Sequence, residues 1–125
     1  MSDETKPANF KDLLVWQKGI ALAKIIYQLT GAFPADERFG LVSQMRRAAV
    51  SIPSNLAEGQ ARHTTGEFVL FISHAEGSVA ELETQMLLSI ELGFVQKLSA
   101  SDALSLLAEL KKMLNALRRT LVTRH

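Results

Sequence analysis

The sequence predicts an all-α protein, an antiparallel up-down-up-down four-helix bundle with its second helix kinked at Pro53. Three observations carry that expectation. Apolar residues recur at intervals of three and four along four separate stretches. Gly and Pro signals punctuate those stretches, and no segment alternates apolar and polar residues as a half-buried strand would.

The first helix is expected over 12–30, on Leu13, Trp16, Ile20, Ala23 and Tyr27, with Val15, Leu22, Ile26 and Leu29 widening its buried arc. Gln17, Lys24 and Gln28 form its polar stripe, and Gly31 with Pro34 stops it. The second opens near Asp36, a side chain suited to an N-cap, with Glu37 at the positive end of the dipole. It follows Leu41, Met45, Ala48 and Ile52. Pro53 has no amide to donate and its ring opposes the Ala49 carbonyl, but Leu56 resumes the period on the same side. A kink is therefore expected instead of a break, with the end at Glu58-Gly59.

The third helix is expected after His63, capped by Thr64 or Thr65, with Glu67 three residues beyond Thr64 as a capping box requires. Its seam of Phe68, Ile72, Ala75, Val79, Leu82 and Met86 alternates steps of four and three and continues to Gly93. The fourth begins at Ser99 or Ser101 and runs on Leu107, Leu110, Leu114, Leu117 and Leu121. Leu14, Phe71, Leu87, Leu88, Leu92 and Leu106 fall outside the simplest seams. They belong either to wide intramolecular stripes or to faces turned toward another subunit.

A length of 125 residues suits one domain, assigned to 10–125, preceded by a flexible leader over 1–9 that carries Asp3, Glu4, Lys6 and Pro7. Hydrophobic residues at 47% and charged residues at 22% exclude a disordered or low-complexity class. With no cysteine there is no disulfide, thiolate metal site or cysteine nucleophile. No apolar run approaches the roughly 20 residues of a membrane span, and the leader lacks the apolar core of a signal peptide. A cytoplasmic protein without membrane contact is expected.

The formal charge of +1 lacks the general basicity of a nucleic-acid binder, yet its distribution is uneven. Residues 66–98 hold five acidic side chains and one lysine, whereas 99–125 hold five basic and two acidic ones. Lys111, Lys112, Arg118, Arg119 and Arg124, joined by Arg46 or Arg62, would form a basic strip. Repeated around an oligomer, such a strip would hold phosphate backbones of structured RNA or DNA. A plain solvated helix face is the competing reading. Aromatic residues fall mostly on buried faces, which argues against sequence-specific reading of single strands.

Two polar ladders also stand at helical spacing: Arg47, Ser51, Asn55 and Glu58 on the second helix, and His74, Ser78, Glu81 and Gln85 on the third. Antiparallel packing would set Arg47 against Glu81 and Glu58 near His74, a structural network fixing register; an ordinary solvated face and a ligand or catalytic pocket are the competing readings. Enzymatic chemistry finds no support. The residues three before His63, His74 and His125 are Gln60, Phe71 and Val122, so the Glu-x-x-His pairs of di-iron bundles are missing. The seven glycines form neither G-x-G-x-x-G nor a P-loop. No catalytic residue, metal or cofactor is assigned.

Several runs carry a family resemblance. They are Phe10-Lys11-Asp12-Leu13-Leu14-Val15-Trp16-Gln17-Lys18, Phe33-Pro34, Phe39-Gly40-Leu41, and Gln44-Met45-Arg46-Arg47-Ala48-Ala49-Val50 continuing as Ser51-Ile52-Pro53-Ser54-Asn55-Leu56-Ala57-Glu58-Gly59. On the third helix Glu67-Phe68, Gly77-Ser78 and Glu81-Leu82-Glu83-Thr84-Gln85 extend it, and Leu92-Gly93-Phe94 closes it. Together they resemble the bacterial four-helix bundle proteins encoded in 23S ribosomal RNA intervening sequences. The resemblance implies a ring-shaped homopentamer whose biochemical role is not established. It extends distantly to the accessory variability determinant of diversity-generating retroelements, a pentameric bundle with a basic, nucleic-acid-binding surface. Two functions follow as expectations: a non-enzymatic homo-oligomer binding structured RNA or DNA, or a scaffold for a protein partner without nucleic-acid contact.

Overall fold

The computed structural model describes residues 9–123, an all-α chain of four helices. They are α1 (Leu14–Thr30), α2 (Leu41–Gln60), α3 (Thr65–Glu91) and α4 (Ser101–Thr123), with single 3-10 turns at Phe10–Asp12 and Ala35–Glu37. Of the expected leader only Asn9 is described; its side chain accepts from the Lys11 amide at 2.9 Å and caps the first 3-10 turn.

The helix ends show why the chain divides as it does. Asp36 lies in a 3-10 turn and does not cap α2, which starts after Gly40. The Glu37 carboxylate takes the capping role instead, accepting from the Leu41 amide at 3.2 Å. At α3 Thr64 is the cap: the Glu67 amide donates to Thr64 Oγ1 at 3.1 Å, and the Thr64 hydroxyl meets Glu67 Oε1 at 3.2 Å. Its far end turns at Gly93, whose φ of +79° lies where glycine alone is unstrained. There the Phe94 amide reaches the Ser89 carbonyl and the Gly93 amide the Ile90 carbonyl, both at 3.0 Å, satisfying carbonyls the helix leaves open.

α2 runs without a break through Pro53 and past the expected stop at Gly59. That glycine serves a close approach and not a helix end. A Cβ placed on it would stand 2.7 Å from Phe71 Cβ and 2.9 Å from Phe68 Cδ1, so α3 presses directly on the α2 backbone there. Six residues earlier on α2, Pro53 is buried and packs beside Gly19 of α1.

α1 packs on α2 and α4, and α3 also packs on α2 and α4, with no backbone contact across either diagonal among the described residues. Along α2 and α3, rising residue numbers meet falling ones: Met45 touches Ser89, Ser51 touches Ser78, and Gly59 faces Phe68. The enclosed core is Leu22 and Ile26, Met45, Ile52 and Leu56, Ile72, Val79, Leu82 and Met86, and Leu107, Leu110 and Leu114, all essentially without exposure. Burying each such side chain contributes on the order of 1.5–3 kcal/mol before the entropy of ordering it.

The α1 seam is rotated from its expected position. Val15, Gly19, Leu22, Ala23, Ile26 and Thr30 face inward, while Ile20 and Tyr27 are exposed. Both sets share the helical period, and apolar residues cover so wide an arc of this helix that spacing alone does not settle its phase.

Candidate nucleic-acid interface

Two of the basic residues of α4 are paired with carboxylates of α3. Lys111 Nζ lies 3.6 Å from Glu83 Oε1. Arg118 Nε donates to Glu76 Oε1 at 3.0 Å, and its terminal nitrogen reaches Asn115 Oδ1 at 2.8 Å. Lys112 and Arg119 are exposed and make no ion pair among the described residues, and Arg124 lies outside them. Charge that separates into acidic and basic blocks along the chain is brought back together in space, because acidic α3 packs on basic α4. The other expected members are elsewhere. Arg62 pairs with Glu58 at 2.9 Å and lies over the Phe71 ring at 4.8 Å, while Arg46 sits between α1 and α2.

The two polar ladders meet, but not through the expected charges. Ser51 Oγ donates to Ser78 Oγ at 2.6 Å across the α2–α3 contact. Asn55 Nδ2 donates to the Ser51 carbonyl at 2.7 Å, and Gln85 Nε2 to Glu81 Oε2 at 3.3 Å. Arg47 and Glu81 are both exposed and line one shallow groove without forming an ion pair. Glu58 is bound to Arg62, four residues on and just past the end of α2, and His74 makes an edge contact with Phe71 at 5.5 Å. Long side chains at the rim of a contact reach water more cheaply than each other, so register here rests on the small serines and not on buried ions.

A different cluster emerges where the start of α2 crosses the end of α1. Tyr27, Arg38, Phe39, Val42, Ser43, Arg46, Arg47, Val50 and Ser51 line a groove of about 660 Å³. Three guanidinium groups face it and no carboxylate does. Arg46 is fixed: Nε donates to Thr30 Oγ1 at 2.9 Å, a terminal nitrogen to the Tyr27 carbonyl at 3.3 Å, and the guanidinium lies 4.5 Å over the Tyr27 ring. Thr30 is buried and anchored in turn, donating to the Ile26 carbonyl at 2.6 Å. These bonds use two of the five donors an arginine carries and leave the others available. Arg38 lies over the Phe39 ring at 5.7 Å, and Arg47 is exposed with no ion pair among the described residues.

Such a set suits a phosphate-rich ligand. Guanidinium forks match phosphate oxygens two at a time, serine hydroxyls add donors, and no carboxylate lines the groove to compete for them. Of this cluster the sequence expectation held only Arg46, Arg47 and Ser51, and assigned them to two different surfaces. Arg38, Phe39, Tyr27 and Ser43 were missed. Tyr27 belongs to the expected α1 seam, and Phe39 to the run Phe39-Gly40-Leu41 with no surface assigned to it; it is 89% exposed. The available signal was position: Arg38-Phe39 stands between two breakers, Pro34 and Gly40, outside any helical seam.

Among the described residues no group of three or more His, Asp or Glu side chains is placed to hold a metal ion, and no helix is long and apolar enough to cross a membrane. The model of a family described as 23S rRNA-intervening sequence protein matches residues 11–116. No curated protein matches the chain.

Proposed function

The chain belongs to the 23S rRNA-intervening sequence protein family, and from that premise we propose that it is a cytoplasmic, non-catalytic, self-associating bundle that binds structured RNA or DNA by its phosphate backbone. The groove between α1 and α2 carries the reading: Arg38, Arg46 and Arg47 converge there with no carboxylate among the lining residues. The binding surface is thus moved from α4, whose Lys111 and Arg118 are occupied by Glu83 and Glu76, to the start of α2. Backbone recognition needs only cations spaced along a surface, which agrees with a net charge of only +1.

The assembly proposed is a homopentamer, as the resemblance to ring-forming bundles implies. Leu14, Leu87, Leu88 and Leu92, set outside the sequence seams, are all about half exposed, and apolar surface of that kind supports burial against a second copy. Five copies of a 13.8 kDa chain give a particle of about 69 kDa. A ring would repeat each arginine groove around its circumference and strengthen the field.

The test is fluorescence anisotropy of a labelled ribosomal RNA hairpin over a salt series, alongside the solution mass by light scattering. Arg38→Ala with Arg47→Ala weakens binding and flattens the dependence of log affinity on log salt by about two phosphate contacts, whereas Lys111→Ala with Arg118→Ala changes it far less. Absence of salt-dependent binding at low ionic strength overturns the reading and leaves a protein-interaction scaffold as the alternative.

A further inference from the structure

We infer that the α1–α2 groove receives an unpaired nucleotide, its base stacked on Phe39 and the adjoining phosphates held by Arg38 and Arg47; this rests on the nucleic-acid reading above and makes it specific. A surface that gripped only phosphate backbones would have no use for a bare aromatic ring. Phe39 is nonetheless 89% exposed, while Phe33 and Phe68 are buried. It stands on the rim of the groove that holds the three guanidinium groups.

The backbone that carries the ring is also held in place. The Gly40 amide donates to the Glu37 carbonyl at 3.1 Å, and the Leu41 amide donates to Glu37 Oε1 at 3.2 Å, so Glu37 fastens the backbone directly after Phe39 to the preceding turn. A platform ordered before its ligand arrives loses little entropy on binding. Arg38 lies over the same ring at 5.7 Å, placing a cation within reach of a phosphate next to any base stacked there.

The chemistry selects one form of nucleic acid. In a continuous duplex both faces of each base are covered by neighbours, and a side chain on the outside meets only sugar and phosphate. A bulged, looped or terminal nucleotide presents a free face that an aromatic ring covers. A groove of about 660 Å³ falls within the range that encloses a small molecule, large enough for one nucleotide and too small to engulf a helix. The donors that line it, Arg38, Arg46, Arg47, Ser43 and Ser51, are those assigned to phosphate, and Val42 and Val50 offer a base no hydrogen bond, so the recognition is of an unpaired base and not of a particular one.

The experiment compares two fluorescein-labelled RNAs by anisotropy at one salt concentration: a blunt duplex, and the same duplex carrying a three-nucleotide bulge. Wild type is expected to prefer the bulged probe by roughly tenfold, in line with one aromatic–base stack. Phe39→Ala brings the two probes to equal affinity at an unchanged Tm, and Phe39→Trp keeps the preference. Equal binding of both probes by wild type, or a preference that survives Phe39→Ala, overturns this inference and leaves backbone binding standing. Binding of neither probe overturns both. A change of solution mass in Phe39→Ala would assign the ring to a contact between copies and overturn the inference as well.

Discussion

Two buried glycines at helix contacts should respond to alanine in opposite directions. At Gly59 the new methyl would lie 2.7 Å from Phe71 Cβ, a distance real Cβ atoms do not sustain, and 2.9 Å from Phe68 Cδ1. The Phe68 ring can swing aside, but a Cβ moves only with its backbone, so α2 and α3 must part. Overpacking of that kind costs about 1–3 kcal/mol, offset by a fraction of the roughly 1 kcal/mol that alanine gains over glycine in a helix, because Gly59 sits near the α2 end. A net loss of about 1–2 kcal/mol results. At Gly19 the nearest atoms are Pro53 Cδ at 3.4 Å and Ile52 Cγ2 at 3.6 Å, which is ordinary contact. There the full helical gain of about 1 kcal/mol is kept. With an unfolding entropy near 2.1 cal/mol/K per residue, a chain of 125 residues shifts its Tm by about 4 °C per kcal/mol. Gly59→Ala should therefore melt roughly 4–8 °C lower and Gly19→Ala about 4 °C higher. Thermal melts followed by far-ultraviolet circular dichroism, at one protein concentration because self-association raises apparent stability, check both. A Gly59→Ala protein as stable as wild type would refute the close-approach argument.

Three further outcomes follow from the same contacts. Arg47→Ala should change stability by no more than about 0.5 kcal/mol, since the side chain is exposed and without an ion pair, and yet weaken RNA binding; a large loss of Tm would restore the buried network the sequence suggests. Thr64→Ala removes the oxygen that the Glu67 amide donates to and should cost about 1 kcal/mol, read as a lower urea midpoint. Arg118→Ala breaks the bonds to Glu76 and Asn115 at a partly exposed site and should cost about 1 kcal/mol; a double-mutant cycle with Glu76→Gln should show the coupling.

The order and type of every helix could be read from the chain, because a 3.6-residue apolar period and the breakers between periods are local properties. Thr64 with Glu67 marked the α3 start correctly for the same reason. What failed was whatever depends on a neighbour. Ile20 and Tyr27 matched the α1 period as well as Leu22 and Ile26 do, and only contact with α2 and α4 decides which set is buried. Gly59 reads as a helix end until Phe71 is placed beside it. The basic strip drew its members from one stretch of sequence, whereas Glu76 and Glu83 occupy two of them from another helix. Arg38, Phe39 and Arg46 come together from a turn and a helix start against the end of α1, which no linear spacing encodes.

The cyclic order of helix contacts shapes how the chain finds its fold. Three of the four pairings, α1 with α2, α2 with α3 and α3 with α4, join helices separated only by a short connection. The fourth joins α1 to α4, where Lys18 Nζ meets Glu109 Oε2 at 3.0 Å across about 90 intervening residues. Closing a loop of that length costs more entropy than forming any of the hairpins, and chains dominated by nearby contacts fold quickly. The hairpin of α2 and α3, the most extensive pairing, is the natural nucleus. The α1–α4 seam then acts as a clasp, last to fasten and first to open, so amide exchange along α1 and α4 should set in before the α2–α3 hairpin yields.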